Sequence, residues 1–306
     1  MNLSILICTY NPVYEIFNEC LRHIRLATLN IGQFEIIIID NNSTNKFTEQ
    51  KYFLDFKENV PNVKLVKENK QGLTPARLRA INESKGNLLV FIDDDNFVDK
   101  HFFNNGLDIA YEYPLIGAWS GQVLLKFEKE PEIWTERYWG LLVYRKLEKD
   151  YWSNLPFLSD TMPCGAGLFV RKVVALKYSA LHDEGKRNIQ LDRTKNSLFS
   201  GGDNDLAMCA CDCGLGVGLF ERLKLDHYIP AKRMNKEYLL KLTEGISASD
   251  VVLKYFRGGN PAVRSFKNHI ADFIRILLKK PIDRSFYKAH LTGIKKGNRI
   301  VKNNKV

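Results

Sequence analysis

The chain has 306 residues, 45% apolar and 11% aromatic, which provides a large core and excludes a disordered polypeptide. Its formal net charge of +10 is carried by its end: from Lys232 onward 18 Lys and Arg stand against 5 Asp and Glu, and the part before is slightly acidic. No run of 18 apolar residues is present, which excludes a transmembrane helix, and Met1-Asn2-Leu3-Ser4-Ile5 lacks the basic start of a signal peptide, so the expected compartment is cytoplasmic, with the six cysteines reduced.

In chain order, residues 3–8 read as a buried strand that Asn11-Pro12 breaks, and 13–30 as an amphipathic helix. A second buried strand over 34–39 ends in Asp40-Asn41-Asn42-Ser43. A third over 62–67 precedes a helix predicted over 74–84, with Thr74 at the N-cap and Pro75 at the first helical position. Residues 88–92 are five bulky apolar residues, a buried strand that runs into Asp93-Asp94-Asp95. This alternation predicts βαβ units and a mostly parallel sheet. From 118 to about 170 the segments shorten and gather Trp119, Trp134, Trp139 and Trp152, read as strands and loops over the sheet's C-terminal edge. A loop opening a helix is expected over 201–213, a strand over 219–225 ending at His227, and helix beyond Glu237. The expected division is a first domain over 1–235, with halves at 1–117 and 118–235, and a basic helical extension over 236–306.

The three aspartates carry the strongest chemical signal. Ligands of open α/β sheets bind just beyond the carboxyl ends of the strands. Three carboxylates there repel one another, and a divalent cation, with a phosphate held through it, relieves the repulsion. Side chains alternate along extended backbone, so Asp93 and Asp95 are expected on one side and Asp94 on the other. Tyr10, at the end of the first strand, can stack on a nucleotide base. In Ser200-Gly201-Gly202-Asp203-Asn204-Asp205 the glycines allow close approach of a ligand to a helix N-terminus. His227 beyond a strand end can complete a metal site with a carboxylate. The small residues of Cys164-Gly165-Ala166-Gly167 suit either close approach of a sugar or a tight turn. Cys209, Cys211 and Cys213, spaced by two, share no helix face and read as small core residues rather than a zinc site.

Taken in order, Ile7-Cys8-Thr9-Tyr10-Asn11, Asp40-Asn41-Asn42-Ser43, Gly72 through Arg77 to Ala80, and Asp93-Asp94-Asp95 resemble the motifs of the family 2 glycosyltransferases. The resemblance continues to about Leu242. It implies the GT-A fold, an α/β, Rossmann-like, mostly parallel mixed sheet flanked by helices. It also implies a metal-dependent, inverting transfer of sugar from a nucleotide-diphosphate sugar to a hydroxyl of a saccharide or lipid-linked acceptor, in cell-surface polysaccharide synthesis. Carried over residue by residue, it places Thr9, Tyr10, Asn11, Asp40, Arg77, Asp93, Asp94 and Arg233 around the donor. Asp95, with His227, would hold Mn2+ or Mg2+, and Asp203 would be the general base. The Glu that the family often places before this base is here Gly202, and Arg79 reads as a surface salt bridge. Two other functions compete. A sugar-phosphate nucleotidyltransferase would want a Gly-rich phosphate loop after the first strand, where Thr9-Tyr10-Asn11-Pro12 stands. A non-catalytic nucleotide-sugar-binding subunit would leave Asp203 without a role.

In the basic tail, Phe266, Ile270, Phe273, Ile274, Leu277 and Leu278 recur at helical spacing among Arg264, Lys267, Arg275, Lys279 and Lys280. Such a helix either packs on the domain or lies on an anionic membrane surface, which would make the protein peripheral on the inner face of the cell membrane. No nucleic-acid recognition motif accompanies the charge.

Overall fold

Runs of β-branched and other bulky apolar residues build the middle of the sheet. In the computed structural model, which describes residues 2–157, 159–193, 198–260 and 266–304, three such runs and a more polar edge strand, Val63–Lys67, pair in parallel. They are β1 (Leu3–Thr9), β2 (Phe34–Asp40), β3 (Val63–Lys67) and β4 (Leu88–Asp93), in the order β3-β2-β1-β4. Ile5, Ile7, Ile36, Ile38, Val90 and Ile92 from these strands share one core. The crossovers carry α1 (Tyr14–Thr28), α2 (Lys51–Asn59) and α3 (Leu73–Glu83). Register places Thr9 level with Asp40 and Cys8 level with Asp93, so the motifs at the ends of three strands meet at one edge.

After β4 the pattern changes. The chain turns through Asp94 and Asp95 into the short β5 (Asn96–Val98), then passes through α4 (Phe102–Glu112), β6 (Ile116–Phe127), β7 (Tyr151–Ser153), β8 (Leu168–Arg171), α5 (Lys172–Asp183), α6 (Gly202–Asp212) and β9 (Gly216–Ile229). The sheet continues from β4 as β8-β6-β9-β5, with β7 on β9. β8 is antiparallel to both neighbours, and β6 and β9 are parallel. The result is a mixed α/β sheet flanked by helices.

Three local expectations change. α3 begins at Leu73 with Gly72 as its cap at φ 134, a conformation that favours glycine, so Thr74 and Pro75 sit inside the first turn. β9 is a 14-residue strand whose alternating burial persists to Ile229, and His227 lies within it rather than beyond its end. Part of the segment expected as strands and loops over 118–170 is a 3-10 run, Ile133–Leu142, carrying Trp134 and Trp139 and ending at Val143 with φ 62.

The chain divides into two compact units, one of Met1–Ala180 with Asp203–Pro230, which holds the whole sheet, and one of Leu181–Gly202 with Ala231–Val306. The second unit contains α7 (Lys236–Phe256), α8 (Phe266–Leu278) and α9 (Pro281–Asn303). Asn235 caps α7 by accepting a hydrogen bond from the Tyr238 N–H at 2.8 Å. α9 lies close on α7 because it presents glycines there: a Cβ at Gly293 would stand 2.3 Å from the Glu244 carbonyl oxygen, and one at Gly297 2.7 Å from that of Ala248. Ile189 and Leu191 pack with Val252, Leu253 and Val301. These contacts draw 181–202 to the C-terminal helices, whereas a division at 235/236 leaves that segment in the first domain. Of the tail residues named above, Arg264 lies outside the described residues. No helix among the described residues is long and apolar enough to cross a membrane.

Candidate active site

The acidic turn is shaped by its neighbours. Asn96 is fully buried; its Oδ1 accepts from the Asp93 N–H at 3.3 Å, and its Nδ2 donates to Asp95 Oδ1 at 3.2 Å. The Tyr228 N–H on β9 donates to the Asp95 carbonyl at 2.9 Å. The Thr9 hydroxyl at the end of β1 donates to Asp94 Oδ2 at 2.5 Å. Asp94 is thereby turned to β1 and Asp95 to β9. Beneath them the Cys20 thiol meets the Asp93 carbonyl at 3.6 Å. Burial, reinforced by the three carboxylates, pushes that thiol well up, so it stays protonated.

His227 faces Asp95, with Nε2 3.5 Å from Oδ2. Its Nδ1 lies 3.2 Å from the Leu142 carbonyl oxygen. A carbonyl only accepts, so Nδ1–H is the donor in that contact, and Nε2, on the Asp95 side, is the nitrogen placed to meet a cation. A carboxylate oxygen and an imidazole nitrogen 3.5 Å apart are near the ~3 Å between adjacent ligands of a six-coordinate cation with bonds of about 2.1 Å. The pair therefore fits a small divalent cation as two of its ligands. Among the described residues no group of three or more His, Cys, Asp or Glu side chains is arranged to hold an ion.

Asp93 links this pair to the rest of the site. Its carboxyl is raised from 3.8 to about 6 by burial first and then by the charge of Asp95, with Asp203 adding to the rise and Arg77 and His227 opposing it. Five residues predicted from the sequence thus share one electrostatic neighbourhood. Arg77 reaches it as a buried residue of α3. Asp203 stands in the first turn of α6, where its Oδ2 accepts the Gly165 N–H at 2.6 Å. Gly165 lies between the two: a Cβ there would be 3.0 Å from Asp203 Oδ2 and 3.4 Å from the Arg77 guanidinium. In the Cys164–Gly167 run it is Gly165 that lies against this carboxylate.

Next to Asp203, Gly202 has no room for a side chain. A Cβ there would sit 2.5 Å from both carboxylate oxygens of the buried Asp192. Where the resemblance leads one to expect Glu, this chain sets a glycine with the carboxylate of another residue against it.

The rim is formed by side chains committed to the backbone. Asn41 is buried at the end of β2, donates to the carbonyls of Glu68 and Lys70 at 3.3 and 2.8 Å, and accepts from the Gly72 N–H at 2.7 Å. It ties the ends of β2 and β3 to the start of α3. Asn11, at φ 48, accepts from the N–H groups of Thr44 and Asn45 at 2.7 and 3.0 Å. Asp40 accepts from the Ser43 N–H at 2.9 Å, and Tyr10 is 40% exposed at the end of β1. Asn11, Thr9 and Asp94 thus help build the rim. Arg233 lies in the turn Ala231–Met234 of the second unit.

Two peripheral expectations can also be placed. Arg79 pairs with Glu83 at 2.8 Å on the surface. Cys209 in α6 is buried, Cys211 and Cys213 at its end are half-buried, and none of the three is in a disulfide among the described residues. Sequence reasoning missed Asn96, the Leu142 carbonyl and Cys20. Of these only Asn96 carried a readable signal, as a polar residue opening a strand directly behind the aspartates.

The family model Glycosyl transferase family 2 matches residues 4–174, more than half of the chain. The uncharacterized glycosyltransferase YibD of Escherichia coli strain K12 is 32% identical over 111 residues, 36% of this chain; the match spans only 30% of that relative's length. Among solved structures, residues 1–349 of S. aureus TarS superpose with a TM-score of 0.51 at 14% identity, covering 100% of this chain and 91% of TarS 1–349. The complex of TarS 1–349 with UDP-GlcNAc gives the same score. GalNAc-T7 with UDP, GalNAc and Mn2+ superposes at 0.55 and 12% identity, over 99% of this chain and 57% of that one. At these identities the structural likeness speaks for the fold, which is of the GT-A kind, and the family match for the chemistry. On that match over most of the sheet, the chain belongs to glycosyl transferase family 2.

Proposed function

We propose that the chain transfers a sugar from a nucleotide-diphosphate sugar to a hydroxyl group of a saccharide or lipid-linked acceptor, with inversion at the anomeric carbon and with Mn2+ or Mg2+ as cofactor. The observation that carries this reading is the gathering of Asp93, Asp95, His227, Arg77 and Asp203 about the edge where β1, β2 and β4 end. The nucleotide donor is further supported by the fold's likeness to TarS solved with UDP-GlcNAc and to GalNAc-T7 solved with UDP and Mn2+.

The exposed ring of Tyr10 stacks on the base, and Asp40 accepts a hydrogen bond from it. Asp93 and Arg77 orient the ribose, sugar and diphosphate. Asp95 and His227 would hold the cation, which when bound offsets the charge growing on the leaving diphosphate. Asp203 takes the proton of the acceptor hydroxyl as its oxygen attacks the anomeric carbon opposite the departing diphosphate. One carbon–oxygen bond forms, one breaks, and the configuration inverts. The carboxylate that collects the proton accepts the Gly165 N–H, which holds it in place. Products of this kind belong to cell-surface polysaccharide synthesis.

Two substitutions test the division of labour. Asp203→Asn is expected to lose about 10²–10⁴ in turnover while nucleotide affinity, read by calorimetry with UDP, stays near that of the parent. Asp95→Ala is expected to lose Mn2+-dependent nucleotide binding itself. Full turnover in both variants, or a product of retained anomeric configuration by NMR, would overturn the reading.

A further inference from the structure

α8 is mounted with its apolar side outward. Ile270, Phe273, Ile274, Leu277 and Leu278, at helical spacing on one face, are 47%, 63%, 49%, 58% and 81% exposed. The helix has a single carboxylate, Asp272, which points the other way: it is buried and accepts the Tyr287 hydroxyl of α9 at 2.6 Å, with Arg275 3.7 Å away. An amphipathic helix that served only to fill a core would turn the opposite side inward. The surroundings of this face are basic. Lys267, Arg275 and Lys280 are exposed beside it. Along the side of α9 away from α7, Lys288, Lys295, Arg299 and Lys302 are exposed at intervals of seven, four and three residues. Between 266 and 304 ten Lys and Arg stand against two Asp.

We infer that this face docks on an anionic lipid bilayer, with the five apolar side chains entering the boundary between headgroups and acyl chains and the flanking cations meeting lipid phosphates. The charge selects this occupant. A second copy of the chain would bring its own basic helices against these, and like charges would oppose the contact, whereas an anionic surface satisfies apolar side chains and cations together. The inference stands apart from the catalytic reading, because lipid binding is measured without donor or acceptor.

The test is co-sedimentation of the full chain with vesicles. Binding is expected to vesicles of phosphatidylcholine with phosphatidylglycerol, not to phosphatidylcholine alone, and to weaken as salt is raised. The double variant Phe273→Glu with Leu277→Glu is expected to bind at least about tenfold more weakly, with an unchanged melting curve because both positions are exposed. The variant Lys267→Glu with Lys280→Glu keeps the apolar face and is expected to weaken binding to the anionic vesicles. Equal binding to both vesicle types, no binding to either, or a dimer in light scattering that Phe273→Glu with Leu277→Glu dissociates would overturn the inference.

Discussion

A methyl group at Gly165 is the smallest change that reaches Asp203. It would lie 3.0 Å from Oδ2 and 3.1 Å from the Asp203 Cβ, with Arg77 at 3.4 Å on the other side, so the carboxylate must give by a few tenths of an ångström. A reacting group displaced that far costs rate before it costs binding. Gly165→Ala is expected to lower kcat about tenfold with nucleotide affinity nearly unchanged; an unaltered kcat would show that Asp203 is not held by this contact. Asp93 gives a second prediction, through pH. Its folded value, about 6, exceeds its ordinary 3.8 because burial and Asp95 disfavour the charged form. The native chain therefore holds a proton there that the unfolded chain has released, and stability falls as pH rises from about 4 through 6. Above that range the full penalty is present. With chelator, Asp93→Asn is expected to stabilise the protein at pH 7.5 by on the order of 1–3 kcal/mol and to give no such gain at pH 4, read by urea titration at each pH. The aspartates were readable from sequence because their position behind an apolar strand is a local pattern. The Leu142 carbonyl that faces His227 and the Asp192 carboxylate that crowds Gly202 were not, because an oxygen brought in from a distant segment leaves no mark near the residue it meets.

Elements were readable where a single period dominates. β1, β2 and β4 are continuous apolar runs, and they form the parallel centre of the sheet in the register that aligns Thr9 with Asp40 and Cys8 with Asp93. β9 was cut short because its second half alternates buried positions with half-buried polar ones such as Asp226 and Tyr228; pairing with β5 and β6 keeps it extended to Ile229. α3 was mis-capped for a related reason. Thr74 and Pro75 make a good helix start in isolation, but with the hydrogen bond from the Gly72 N–H to Asn41 Oδ1 the cap falls two residues earlier, at Gly72. The seam of α7 and α9 is a tertiary fact of the same kind, since Gly293 and Gly297 stand one turn apart in a helix whose pattern elsewhere is simply basic. Gly297→Leu places a side chain where even a Cβ would be 2.7 Å from the Ala248 carbonyl and 2.8 Å from the Val251 side chain. It is expected to destabilise the protein by about 1–3 kcal/mol, with Gly297→Ala milder in the same direction. Melting curves identical to the parent's would show that the two helices need no such close approach.

At the scale of the whole molecule, the candidate metal site is divided between distant parts of the chain and is incomplete in each. Asp95 comes from the turn between β4 and β5 and His227 from β9, and the two are brought together by the antiparallel pairing that sets Asn96 level with His227. Two protein ligands are few for a six-coordinate cation, so a diphosphate is the natural source of further oxygens. On the proposed function ion and nucleotide bind as one unit, and their affinities are then linked: the factor by which Mn2+ tightens UDP must equal the factor by which UDP tightens Mn2+. Such coupling is typically about 5–150-fold. In melting experiments Mn2+ alone and UDP alone are each expected to stabilise the protein weakly, and both together by more than the sum, since a ligand at about a hundred times its Kd adds about 2.7 kcal/mol. Asp95→Ala removes one of the two protein ligands and should reduce the joint effect to the sum of the separate ones, while Asp203→Asn should leave it intact. Strong stabilisation by Mn2+ alone would mean that the chain holds the ion with ligands of its own. Additivity in the parent protein would mean that ion and nucleotide do not meet at Asp95.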